Sequence, residues 1–120
     1  LNGNAQIGQK VVEVGWANIY LCGASLSELY FGAYNSQRVA ENLVKVERLV
    51  QVQRLSFTRE VMETFGQVKA DLKKRGEIIG DFDILIASFA LVHGCILVTN
   101  NVKHFQRITG LQIENWTQPL

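Results

Sequence analysis

Two aspartates, Asp81 and Asp83, stand at the head of a largely apolar run from Ile84 to Leu91, and a glutamate, Glu28, lies in an earlier segment, Ser25 to Tyr34. Carboxylates hold hard divalent cations such as Mg²⁺ or Mn²⁺, which prefer oxygen ligands and keep several waters. Downstream, the apolar residues Ile96 to Val98 end in Thr99, Asn100 and Asn101. Ligands of an open parallel sheet sit outside the carboxyl ends of its strands, where helices also begin. Two acids opening a buried helix, followed by a strand that ends in polar groups, can therefore hold a metal ion.

The same residues also have purely structural readings. Ser25 followed three residues later by Glu28 has the form of a capping box, worth about 0.5–2 kcal/mol. Asp81 as an N-cap and Asp83 in the first turn would each gain roughly 0.3–1 kcal/mol from the helix dipole. Asn100 and Asn101 are ordinary turn residues. His93 precedes Gly94 at a helix end, where an imidazole can bond the last carbonyls. Trp16, Tyr34 and Trp116 read as packing residues.

The elements that must position these groups follow from periodicity. Ile7, Val11 and Val14 predict a helix over 5–14 that Gly15 stops. Ile19 to Leu21 is a continuous apolar run, the pattern of a strand covered on both faces. Ser25 to Tyr34 predicts a helix with Ser25 as N-cap. Ser36 caps the next helix, whose Val39, Leu43, Val46 and Val50 form a core-facing stripe. Val52 to Phe57 predicts an edge strand. Thr58 starts a helix with the stripe Val61, Phe65, Val68 and Leu72, ended by Gly76. After the buried helix and the Ile96 strand come a helical turn over 102–108 and a last strand from Leu111 to Asn115. Helix and strand alternate, so the fold class is α/β.

The 120 residues, 48% of them hydrophobic, suit one domain with one core. Twelve Lys plus Arg against eleven Asp plus Glu give a net charge of +1, so a polyanion would have to be met by a local patch. Cys22 and Cys95 adjoin apolar strands and read as reduced thiols of a cytoplasmic protein. No apolar run reaches the roughly 18 residues that cross a bilayer, so no membrane partner is expected. No glycine-rich phosphate loop follows a strand, which argues against a nucleotide-binding fold.

Two apolar strands, Ile19 to Leu21 and Ile96 to Val98, both look interior, while the other two are polar and edge-like. An interior strand needs hydrogen-bonded neighbours on both sides, so the expectation is a sheet from whose middle one apolar strand is absent.

The run Gly80, Asp81, Phe82, Asp83, Ile84, Leu85, Ile86, Ala87, then Val98, Thr99, Asn100, Asn101, Phe105, then Gly110, Leu111, Glu114, Asn115, Trp116, resembles the C-terminal half of PIN-domain ribonucleases, specifically VapC-type toxins of toxin–antitoxin pairs. Ser25 to Gly32 resembles their second motif. The resemblance implies a three-layer α/β/α fold with a mainly parallel sheet and carboxylates gathered around Mg²⁺ or Mn²⁺. By it, Glu28 and Asp83 match catalytic and metal-holding acids, Asp81 is a weaker additional ligand, Asn101 falls where many members have another acid, and Thr99 and Asn100 support the cluster. The family opens with an apolar strand ending in an aspartate, and this sequence has no counterpart. The expectation is a single PIN-like domain over 1–120, incomplete at its N-terminus.

The resemblance further implies an endoribonuclease toxin that cuts structured RNA such as tRNA, pairs as a homodimer and is neutralised by a cognate antitoxin. Lys69, Lys73, Lys74 and Arg75 at one helix end, and His104 near Lys103 and Arg107, are candidates for contact with RNA phosphates. The alternative, motivated by the missing aspartate, is a PIN-like module that binds protein without cleaving.

Overall fold

Helical stripes alternating with short apolar runs produce, in the computed structural model, six helices and four strands over the described residues, 5–117. The run from Leu1 to Asn4 and Pro119 lie outside them. The chain divides between Leu55 and Ser56 into two compact units.

The first unit contains α1 (Ala5–Val14), a 3-10 turn (Trp16–Asn18), β1 (Tyr20–Leu21), α2 (Gly23–Tyr34), α3 (Val39–Val50) and β2 (Gln53–Arg54). Gly15 ends α1 as expected, with φ 88°, a backbone conformation that glycine adopts without a Cβ clash. α2 packs on α3, whose expected stripe turns inward, with Val46 fully buried. β1 and β2 pair in parallel, Tyr20 opposite Gln53 and Leu21 opposite Arg54.

The second unit contains α4 (Arg59–Arg75), α5 (Asp81–His93), β3 (Leu97–Val98), α6 (Val102–Phe105) and β4 (Ile113–Glu114). Thr58 is the N-cap of α4, and its hydroxyl accepts from the Val61 amide at 3.3 Å. Gly76 ends α4 and Gly94 ends α5, both left-handed. α4 packs on α5. The core joins Leu72, Ile79, Ile84, Ala87, Phe105 and Ile108, with Phe65, Leu97 and Ile113 against it. β3 and β4 are parallel, Leu97 opposite Ile113 and Val98 opposite Glu114.

Several expectations are corrected. Ser25 is not an N-cap: α2 begins earlier, behind Cys22, because Cys22 O already accepts from Leu26 N at 3.1 Å, and the Ser25 hydroxyl sits 3.3 Å from the Cys22 thiol. Ser36 does not cap α3 either, since its hydroxyl donates back to Ala33 O at 2.6 Å. Gly80, not Asp81, is the N-cap of α5. The strands are shorter than their apolar runs. Among the described residues each of β1 and β3 pairs on one side alone, so Tyr20, Ile96 and Val98 are exposed rather than covered. Trp16 and Tyr34 are also exposed. His93 bonds not its own helix but Ser56 O, at 2.9 Å, while its ring stacks on Phe89.

Candidate active site

Gly80 enters α5 with an extended backbone, which places Asp81 and Asp83 in the first helical turn. Residues two apart on a helix do not share a face, and the two acids accordingly find different surroundings. Asp81 Oδ1 takes an ion pair from Lys69 Nζ of α4 at 2.9 Å, and that ammonium also lies 5.9 Å from the centre of the Phe65 ring. Asp83 meets no Lys or Arg among the described residues. Its carboxylate is 30% exposed, and Oδ2 lies 3.9 Å from His104 Nδ1 of α6. Both acids lie in the first turn of α5, at the positive end of its dipole.

The polar end of β3 closes on the same imidazole. Thr99 Oγ1 accepts from the Asn101 amide at 3.0 Å, fixing the turn. Asn101 is the N-cap residue of α6 but makes no side-chain cap bond, and its Nδ2 stands 2.8 Å from His104 Nδ1. Asp83 and Asn101 are thus brought to His104, Thr99 bonds the Asn101 backbone, Asp81 is drawn toward Lys69, and Asn100 is exposed. The sequence reading left His104 outside the acidic cluster. The available signal was its spacing, three residues after Asn101 on a helical turn, which puts the two side chains on one face.

In the first unit, Glu28 is exposed on α2. The capping box that offered it a structural role does not form, because Ser25 is not the N-cap. No hydrogen bond or ion pair holds its side chain among the described residues.

The basic residues at the end of α4 are only partly available. Arg75 donates to Asp71, Glu77 and the Arg107 carbonyl, and Lys69 is engaged by Asp81. Lys73 and Lys74 remain exposed.

Among the described residues no group of three or more His, Cys, Asp or Glu converges to hold a divalent cation. Asp83, with the amide oxygen of Asn101, fits an ion that keeps most of its own water, the habit of Mg²⁺, rather than an all-protein cage.

Parallel strand pairs with helices packed in each unit, and an acid at the head of the buried helix, define a small α/β protein of the kind that gathers its polar groups at strand ends. Residues 5–111 match the PIN domain, and the chain belongs to that family. It is 38% identical over 99 residues to "Ribonuclease VapC2" of Haemophilus influenzae (strain ATCC 51907 / DSM 11121 / KW20 / Rd), a match covering 80% of this chain and 75% of the relative. It is 36% identical over 98 residues to "tRNA(fMet)-specific endonuclease VapC" of Shigella flexneri, covering 81% of this chain and 74% of that one. The solved structure of VapBC-1 from nontypeable Haemophilus influenzae superposes with a TM-score of 0.85 at 33% identity, covering 98% of this chain and 89% of that one. The VapC-type resemblance and the PIN-like α/β fold expected from the sequence are both borne out.

Proposed function

We propose that this chain is a metal-dependent endoribonuclease of the VapC type that hydrolyses phosphodiester bonds in structured RNA, with tRNA as its substrate. The observation that carries this reading is the state of Asp83: a partly exposed carboxylate at the head of a buried helix, with no lysine or arginine partner among the described residues, while its neighbour Asp81 is paired with Lys69. The name of the Shigella flexneri relative, a tRNA-specific endonuclease, supports the substrate class.

Asp83 and Glu28 are the carboxylates assigned to hold Mg²⁺ or Mn²⁺, and Asn101 adds an amide oxygen. Bound there, such an ion supplies an activated water and offsets charge developing on the phosphate oxygens. Asp81 joins the set only if Lys69 releases it. Thr99 holds the Asn101 backbone, Asn100 lies beside it, and Lys73 and Lys74 are free to meet RNA phosphates.

A cognate antitoxin and a second copy of the chain are the protein partners assigned to it. Support comes from the VapBC complex among its structural relatives. It comes also from apolar side chains that the first unit leaves exposed, Phe31 at 69% and Tyr34 at 64% on α2 and Val44 at 55% on α3. No helix of the described residues is long and apolar enough to cross a membrane. A cytoplasmic location is proposed with the function.

The test is cleavage of pooled tRNA with Mg²⁺ or Mn²⁺, beside Asp83→Asn, Glu28→Gln and an EDTA control. Cleavage that disappears in all three supports the assignment. Cleavage that persists in Asp83→Asn overturns the site. The absence of a converging acid cluster among the described residues favours a second reading, a PIN-like module that binds protein without cutting. Failure of the native chain to cleave with either metal, combined with antitoxin binding, would select it.

A further inference from the structure

We propose that His104 is a positioning residue, one that turns the Asn101 amide so that its oxygen is presented to the Asp83 side of the site. The inference rests on the reading of Asp83 and Asn101 as oxygen donors to a cation. It adds to that reading the group that decides which end of the amide is available.

The argument starts from what holds α6. It is a four-residue helix, and no side chain caps its start. It is anchored instead by Phe105, only 3% exposed in the core of the second unit. At its entry, Thr99 Oγ1 accepts the Asn101 backbone amide. The backbone on both sides of His104, at Asn101 and at Phe105, is therefore held, and the orientation of the exposed ring remains to be set. Its polar contacts decide that orientation. Nδ1 lies 2.8 Å from Asn101 Nδ2 and 3.9 Å from Asp83 Oδ2. The first is a hydrogen-bond distance and the second is not.

With Asn101 Nδ2–H donating to Nδ1, the imidazole carries its proton on Nε2. The donor end of the amide is then occupied and Oδ1 is the end left over. A carboxamide is a ligand to a hard cation only through its oxygen. Without His104, the amide can rotate by half a turn and present its NH₂ group, which repels a cation. Asp83 is outside hydrogen-bonding distance of the ring, and among the described residues no hydrogen bond engages its carboxylate. His104 thus orders one donor and leaves the other unengaged.

The test uses the full chain with His104→Ala, His104→Gln and Asn101→Ala, and the double variant His104→Ala/Asn101→Ala. Three measurements are made: Mn²⁺ affinity by paramagnetic resonance, tRNA cleavage as kcat and KM, and the Asn101 side-chain amide signals by NMR. Removing a group that orients a metal ligand lowers affinity or activity by about 10–100-fold. His104→Ala is expected to do so in Mn²⁺ affinity and kcat, with KM for RNA within about twofold. His104→Gln, whose carbonyl can accept from Asn101 Nδ2, recovers part of both. The double variant is no worse than the poorer single one, because the two residues act as a unit. Native Mn²⁺ affinity and kcat in His104→Ala, or losses that multiply in the double variant, overturn the proposal. Should the native chain neither bind Mn²⁺ nor cleave, the proposed function falls by itself. His104 is then judged on the Asn101 Nδ2 signals: a shift and faster exchange in His104→Ala sustain it, and unchanged signals overturn it.

Discussion

Lys69 Nζ stands 2.9 Å from Asp81 Oδ1, while Asp83, two residues further along α5, meets no lysine or arginine among the described residues. Two acids that look equivalent in sequence thereby find different surroundings. Both Lys69 and Asp81 are substantially exposed, 41% and 64%, so their pair is worth no more than about 1 kcal/mol. Asp81→Asn should lower stability by up to about 1 kcal/mol, counting the lost dipole interaction, and leave tRNA cleavage within a few-fold of native. Asp83→Asn should do the opposite, abolishing cleavage at a similarly small stability change. Thermal unfolding and cleavage measured on the same two preparations decide the matter, and equal loss of activity in both would return Asp81 to the metal set.

Arg75 ties the end of α4 to the turn after α6. Its Nε donates to Asp71 Oδ2 at 3.0 Å, Nη1 to Glu77 Oε2 at 3.2 Å and Nη2 to the Arg107 carbonyl at 2.5 Å. Arg107 Nη1 returns a bond to Ile78 O at 3.4 Å. Three donors of one planar fork serve three acceptors, a geometry that lysine cannot reproduce. Arg75→Ala should destabilise by about 1–2 kcal/mol, with Arg75→Lys recovering less than half, as read from urea midpoints. Full recovery by lysine would reduce the arrangement to simple charge pairing.

Helix stops and stripes were legible in the sequence because they are local. Gly15, Gly76 and Gly94 each end a helix where glycine alone is unstrained, and Val46, Val61 and Leu72 face inward as their spacing requires. Caps were less legible, since a serine hydroxyl has competing acceptors nearby: Ser36 bonds Ala33 O and Ser25 turns to Cys22. Strand burial was misread because an apolar run does not say how many neighbours it has, and β1 and β3 each pair on one side among the described residues. In the candidate site, motif order marked Asp83, Thr99 and Asn101, of which Asp83 and Asn101 lie near His104 and Thr99 bonds Asn101. Lys69 and His104 were missed as site members because each meets its acid from another helix, a contact set by packing in the second unit rather than by spacing along the chain.

Thr58 tests how much a legible cap contributes. Its hydroxyl accepts from Val61 N, and Val61 is fully buried, so the cap and the first core contact of α4 are coupled. Thr58→Ala should cost about 0.5–2 kcal/mol, and Thr58→Ser should retain most of that. Ser36→Ala, which loses side-chain bonds to Ala33 O and Asn42 Nδ2 but no backbone cap of α3, should change helix content less. Circular dichroism during urea unfolding distinguishes them, and a Thr58→Ala effect no larger than that of Ser36→Ala would deny the cap its role.

Tyr30 links α2 to α3 through a bond whose pH dependence has a definite sign. Its hydroxyl donates to Glu47 Oε1 at 2.8 Å. That bond first, then partial burial and the Glu47 charge, push the phenol above its ordinary pKa. The folded-state pKa is thus raised over the unfolded one. The stabilisation is complete below the ordinary tyrosine value, near about 10, and is lost as pH rises through the higher folded value, when the phenolate faces Glu47 without a proton to donate. Phenolate absorbance, taken as the difference between the native chain and Tyr30→Phe, should therefore titrate above the ordinary range. Glu47→Gln should bring that midpoint down. A midpoint unmoved by Glu47→Gln would show that burial rather than the hydrogen bond holds the proton on Tyr30.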